Sequence, residues 1–219
     1  MDSRDFVKQL RAEMDELFAG LGQHQTLESE SEGNVDVVVL LKLALKSEIE
    51  ASELAGFWMP STHEIDAKMA FAQQCGDEMK HYNLILKRLG ELGEDMSEYD
   101  PTADGYSPLY QYLNGLRTTV ERVAGGPFAR EAIAEIRNAQ FIDFCHAIGD
   151  TETARLYEDI IHPDEIHHHR MGYELLERHA ATVEQQALAT TTVRASLAIA
   201  DELRTLAERA TGMHSIPVS

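Results

Sequence analysis

Two Glu-x-x-His steps, Glu78–His81 and Glu165–His168, are the residues of this 219-residue chain best placed to do chemistry. Positions three apart on a helix lie side by side on one face, so each step aims a carboxylate and an imidazole at one point. Each step directly follows an aspartate, Asp77 or Asp164, and each has a glutamate thirty residues upstream of its own, Glu48 or Glu135. Laid over one another at an offset of 87, Glu48–His81 and Glu135–His168 align without a gap. The identities are Glu48/Glu135, Ile49/Ile136, Phe57/Phe144, Ala67/Ala154, Asp77/Asp164, Glu78/Glu165 and His81/His168. They concentrate on groups that bind metal, which general helical similarity would not favour.

The chemistry follows from the geometry. Glu48 lies about thirteen residues before the turn near Pro60 and Glu78 about sixteen after it, so in an antiparallel hairpin rising ~1.5 Å per residue they meet at one height. The second half repeats this around Gly149. Packing the halves about a pseudo-two-fold axis gathers four carboxylates and two imidazoles. Without metal each buried unpaired carboxylate costs several kcal/mol, and the four repel one another. Two divalent cations neutralise them. Carboxylate-rich ligation with imidazole suits iron or manganese better than zinc. The expected ligands are Glu48, Glu78, His81, Glu135, Glu165 and His168, around two Fe ions, with Mn/Fe as the alternative pair. Glu131 lies one turn before Glu135 on the same face, with a 34-residue spacing to Glu165; the repeat and the Glu-x-Arg sequence favour Glu135. Asp77 and Asp164 are expected to fix a histidine tautomer, that of the opposite hairpin.

The elements that must position these groups read as helices throughout. Phe6, Leu10, Met14 and Leu17 mark a first helix, about 4–19, ended by Gly20 and Gly22. After a polar stretch, Gln23 to Asn34, a long helix runs from about Val35 to Trp58 with Leu41, Ala44, Leu45, Glu48, Ser52 and Ala55 on one face, which turns Glu48 inward. Ser61 and Glu64 have capping-box spacing and predict a helix from there to Gly90. Residues 91–106 form a loop. A short helix over 108–123 should end at Gly125-Gly126, and Pro127 suits the first position of the next helix, to about Ile148. Gly149-Asp150-Thr151 break and cap the chain before a helix to His179, and a last one covers 182–211, with the tail HSIPVS fraying. The Val37-Val38-Val39 run is the one place with a strand-like flavour. The expectation is one domain over 1–219: a core bundle at about 35–179 and accessory helices at 4–19, 108–123 and 182–211.

Composition narrows the partners. Asp and Glu number 38 against 19 Lys and Arg, a net charge of −19. That excess repels nucleic-acid phosphates and anionic lipid, so neither nucleic acid nor membrane is an expected partner. No apolar run is long enough to span a bilayer, and the N-terminal residues lack the pattern of a secretory signal, so the cytoplasm is the expected location. Two cysteines, Cys75 and Cys145, form no C-x-x-C pair, which excludes a disulfide framework and a rubredoxin-type or zinc-ribbon site. No flavin, NAD or iron–sulfur motif is visible, so electrons for any redox reaction must come from an external donor.

A lone Glu and a Glu-x-x-His in each half of a four-helix arrangement resemble the ferritin-like superfamily of di-iron carboxylate proteins, which includes bacterioferritins, rubrerythrins and di-iron hydroxylases. E-I-E-A-S at Glu48 and D-E-I-H-H at Asp164 carry the resemblance, which covers about Val35 to His179. It implies an all-α, ferritin-like four-helix bundle of two pseudo-symmetric hairpins with extra helices, and the six ligands named above. It also implies an O2-dependent oxidase or oxygenase, hydroxylase-like, acting on a small organic substrate, with no catalytic side chain beyond the ligands. The alternatives are a ferroxidase or iron store and, third, a non-catalytic subunit of a multicomponent oxygenase. A homodimer is expected from the surplus amphipathic helices.

Overall fold

The structure is a computed structural model describing residues 1–20 and 36–211, with side-chain detail for 1–18 and 36–202. Gly22, the stretch from Gln23 to Asn34, Val35 and the HSIPVS tail lie outside the described residues. Among those described, every regular element is helical and no strand occurs, so Val37–Val39 is helix. No helix among the described residues is long and apolar enough to cross a membrane.

Helix α1 (Ser3–Gly20) precedes the first hairpin, α2 (Val37–Trp58) and α3 (Ile65–Glu91). Asp36 starts α2 by accepting a hydrogen bond from the Val38 N–H at 2.9 Å, filling a donor that the first turn leaves free. Leu41, Leu45, Glu48, Ser52 and Ala55 recur at helical spacing and are all buried, and Ala67, Phe71, Gln74, Glu78, His81, Ile85 and Leu89 do the same on α3. The turn between them differs from expectation. Met59–Ser61 is a 3-10 turn, and α3 begins at Ile65 with Glu64 as its cap residue. Ser61 belongs to that turn and Glu64 is itself the cap residue, so the two form no capping box; the Glu64 carboxylate instead accepts a hydrogen bond from the Thr119 hydroxyl.

The second hairpin departs further from expectation. The predicted 108–123 helix is two pieces, α4 (Pro108–Asn114) and α5 (Thr119–Val123), and α5 does not stop at the glycines. It continues through a π-helical segment, Ala124–Arg130, into α6 (Glu131–Ile148), with Pro127 inside. The Glu131 N–H bonds to the Gly126 carbonyl, five residues back. That wider turn relieves the clash and missing donor that proline would bring to an α-helix. The glycines serve close packing. A Cβ on Gly126 would sit 2.8 Å from a Trp58 ring carbon, and one on Gly125 2.5 Å from Leu113. Gly149, at φ 80, ends α6 in the left-handed conformation that glycine adopts without strain. Asp150 then caps α7 (Thr151–Leu156), which passes through a second π segment, Tyr157–Ile161, into α8 (His162–His179); α9 (Val183–Thr211) comes last.

Polar ties hold α3 antiparallel against the second hairpin along its length. At its start Asp66 meets His179 and Arg178, at 3.0 and 3.1 Å. At its end Arg88 donates to Asp150 and Thr153 at 2.8 and 2.9 Å. Two apolar cores flank the middle. Trp58, Phe71, Phe128 and Leu176 belong to one, together with α1 and α9 side chains; Leu41, Leu45, Ile85, Phe141, Phe144 and Tyr157 form the other. Glu48, Glu78, His81, Glu165 and His168 fall between them in sequence on α2, α3 and α8.

The close approach of α8 to the backbone of the first π segment yields a stability prediction. A Cβ on Gly172 would lie 2.5 Å from the Pro127 carbonyl carbon, and backbone cannot move aside as a side chain can. Gly172→Ala should therefore lower the urea-unfolding free energy by roughly 2–3 kcal/mol. Gly76→Ala, on the exposed face of α3 with nothing within 4 Å, should raise it by about 0.5–1 kcal/mol. Equal effects of the two would contradict this packing.

Candidate metal centre

Six buried side chains from four helical segments converge in the bundle. Glu48 comes from α2, Glu78 and His81 from α3, Glu131 from the first turn of α6, and Glu165 and His168 from α8. Their relative exposures are 7 % for Glu48, 2 % for Glu165 and 0 % for the other four. They form two overlapping groups, Glu48–Glu78–His81–Glu165 and Glu78–Glu131–Glu165–His168, in each of which one ligand atom per residue lies within 4.8 Å of the others.

Glu78 and Glu165 belong to both groups, and their oxygens show why. Glu78 sends Oε2 to 3.4 Å from His81 Nδ1 and Oε1 to 3.5 Å from His168 Nδ1. Glu165 sends Oε1 to 3.7 Å from His81 Nδ1 and Oε2 to 3.6 Å from His168 Nδ1. Each carboxylate thus spans both imidazoles and is set to bridge. Glu48 and Glu131 stand at the ends, one beside each histidine group. The imidazole centroids are 6.5 Å apart, a separation that accommodates two ions at the ~3.5–4 Å spacing usual for paired metals.

The outer ring nitrogens fix the inner ones. His81 Nε2 is 3.0 Å from Asp164 Oδ2, and His168 Nε2 is 3.1 Å from Asp77 Oδ2. Each aspartate therefore orients the histidine of the other hairpin. With the Nε2 proton donated outward, Nδ1 is left to face the centre as a lone-pair donor. The Asp residues sit one position before each bridging glutamate, which turns them out of the cluster toward the neighbouring helix.

The inward atoms lack partners. His81 Nδ1, His168 Nδ1, Glu78 Oε2, Glu165 Oε2 and Glu131 Oε2 are buried without a hydrogen bond. Buried polar atoms are nearly always satisfied, so five orphans aimed at one point fit cations as the missing partner. The electrostatics agree. Burial pushes the Glu48 carboxyl up to about 8. Burial and the neighbouring Glu78 charge raise Glu165 well above the carboxylate range. Burial also opposes charge on Glu78, but the neighbouring His168 and His81 imidazoles hold it well below that range. Burial disfavours the imidazolium forms, yet the carboxylates outweigh it: Glu48 and Glu78 bring His81 to about 11, and Glu78 with Glu131 brings His168 to about 9. The metal-free cluster holds protons where it could hold metal. These residues can bind metal ions.

Of the expected ligands, Glu48, Glu78, His81, Glu165 and His168 are brought together, and Glu135 is not. Glu135 is half-buried and outside both groups, while Glu131 takes the place assigned to it. Glu131 and Glu135 lie one turn apart on α6, and the packed bundle brings the earlier of them, held by Gln74 of α3, to the level of the cluster. Two further residues at the centre escaped the sequence reading. Gln74, one turn before Glu78, donates to Glu131 Oε1 at 2.6 Å. Arg130 donates to the same oxygen at 3.0 Å and to the Ser47 carbonyl and hydroxyl at 2.8 and 2.9 Å. Gln74 carried a signal, since it shares the inward stripe of α3. Arg130 carried none.

His169 belongs to the core, with Nδ1 2.7 Å from the Phe128 carbonyl and the Arg11 side chain at its other ring nitrogen. His146 lies at the surface beside Glu158. Compared with known protein families, curated proteins and solved structures, the chain matches none.

Proposed function

We propose that the chain is a di-iron carboxylate protein of ferritin-like type that oxidises a small organic substrate with O2, electrons coming from an external donor. The observation that carries this reading is the pair of carboxylates, Glu78 and Glu165, each spanning two imidazoles whose inward nitrogens are unpartnered. Bound iron would supply redox chemistry toward O2. The protein's own residues do the rest. Asp77 and Asp164 hold the ring tautomers, Glu48 and Glu131 close the two ends, and the flanking apolar cores exclude water, which strengthens every charge interaction inside. An enzyme is favoured over an iron store by the added helices. α1 packs along α8, with Arg11 on His169, and α9 packs on the first π segment, so both cover faces that a plain four-helix subunit would leave open for cage assembly.

Metal analysis of protein made under iron-replete conditions should give two irons per chain. Glu78→Ala or Glu165→Ala should lose both, because each serves both positions. Glu131→Ala should lose one or both, whereas Glu135→Ala should retain two; loss on Glu135→Ala with retention on Glu131→Ala would contradict the geometry. O2 uptake that tracks added Fe2+ one portion at a time and deposits ferric mineral would favour the iron store instead.

Ligand protonation sets the pH dependence. Neutral pH lies below the folded-state values of about 11 for His81 and about 9 for His168, so both rings hold protons that metal must displace. Uptake should release protons and weaken as pH falls from 8 to 6, by roughly tenfold per pH unit for each proton displaced. Asp77→Asn should weaken affinity by roughly 10–100-fold while leaving two sites at saturation. Calorimetry in buffers of different ionisation enthalpy measures both; uptake without proton release would count against histidine ligation.

A further inference from the structure

The two ends of the centre are built differently, although the sequence repeat makes them look alike. At one end Glu131 Oε1 accepts from both Gln74 Nε2, at 2.6 Å, and Arg130 Nη1, at 3.0 Å. Its other oxygen, Oε2, is buried and unpartnered. Glu131 therefore has one oxygen committed and one free. At the other end the Glu48 carboxyl accepts no hydrogen bond from outside the cluster among the described residues, and faces His81 Nδ1 at 3.5 Å. Both of its oxygens remain open to a cation.

Charge differs in the same sense. Arg130 is almost enclosed, its side chain 11 % exposed, and it is anchored at its far side by the Ser47 carbonyl and hydroxyl. A guanidinium held there cannot swing away when a divalent cation arrives, so it repels the cation at the nearer position and cancels part of the Glu131 charge. Of the carboxylates around it, Glu131 is the one it feels most and Glu48 the one it feels least. The opposite end has a cation too, Lys80, on Asp164 at 3.0 Å. Lys80 is half exposed and acts through an outer aspartate, so solvent screens it far more.

We infer that the Arg130–Gln74 clamp on Glu131 makes the two metal positions unequal: the Glu48–His81 position fills first, and the Glu131–His168 position fills second, more weakly, with Glu131 restricted to one oxygen. The restriction would leave a coordination place open at the second ion, and Arg130, a fixed positive charge beside it, would favour an anionic ligand there. Arg130 and Gln74 are positioning residues, acting chiefly through Glu131; Gln74 Nε2 also reaches Glu78 Oε1, at the longer distance of 3.5 Å. The inference rests on the metal-centre reading and adds an order and a geometry to it.

Anaerobic titration of the metal-free protein with Mn2+ alone, followed by calorimetry and electron paramagnetic resonance, tests it. The expected result is two steps, the first giving the spectrum of an isolated Mn2+ and the second, about tenfold weaker or more, giving that of a coupled pair. Arg130→Gln should strengthen the second step by about tenfold and leave the first nearly unchanged. Gln74→Met, which removes a neutral donor and keeps the guanidinium and its Ser47 anchor, should strengthen the second step by a few-fold and serves where the arginine variant does not fold. A merely structural role would move both steps together. Two ions bound with equal affinity, or a second step indifferent to both substitutions, would overturn the inference and leave the metal centre standing. Failure to take up any Mn2+ would overturn the metal centre itself, and this inference with it.

Discussion

Four buried glutamates within reach of one another are the constraint around which this bundle is organised. Each would cost several kcal/mol to bury ionised and unpaired, and their mutual repulsion adds to that cost. The metal-free chain meets the cost with protons, visible in the upward shifts of Glu48, His81 and His168. Two divalent cations would meet it better, because four carboxylates and two ions of charge +2 would cancel. Apolar replacement would be simpler if stability alone were at stake. That six metal-binding groups occupy the middle of the bundle, with a core on either side, points to a centre that stability did not require.

The rest of the architecture can be understood as the frame that holds those six groups in register. The Asp77–His168 and Asp164–His81 hydrogen bonds lie midway along α3, between the Asp66–His179 tie at one end and the Arg88–Asp150 tie at the other. The hairpins are thus fastened to each other by polar contacts whose central members also orient the ligands. The π segments occur in the second hairpin, one ending directly before Glu131 and the other ending four residues before Glu165. A π turn takes in an extra residue and rotates the helix beyond it. Here the first also lets Pro127 and the two buried glycines sit against Trp58 and α8 while delivering Glu131 inward.

Much of this was legible in the chain. The paired Glu-x-x-His steps, the aspartates before them and Glu48 on the inward stripe all arise from helical periodicity, which short-range spacing reports faithfully. Features that depend on long-range packing did not show. Gly125-Gly126-Pro127 reads as a helix stop by local propensity, and tertiary contact with Trp58, Leu113 and α8 overrides it. Glu64 reads as a capping-box partner of Ser61, but it is itself the cap residue and its carboxylate goes to Thr119, far away in sequence. Glu135 fitted the repeat, but the repeat records sequence register, and which of two glutamates one turn apart reaches the cluster is decided by packing. Arg130 draws notice only once the fold places its neighbour Glu131 in the buried cluster.

The central claim, two metal ions bridged by Glu78 and Glu165, is tested most directly by anomalous X-ray diffraction from crystals of iron-loaded protein at the iron edge. Two anomalous peaks about 3.5–4 Å apart, each near one histidine Nδ1 and both touching Glu78 and Glu165, are the predicted result. A single peak, or peaks confined to the acidic surface with the glutamates and histidines paired only to each other, would contradict the account.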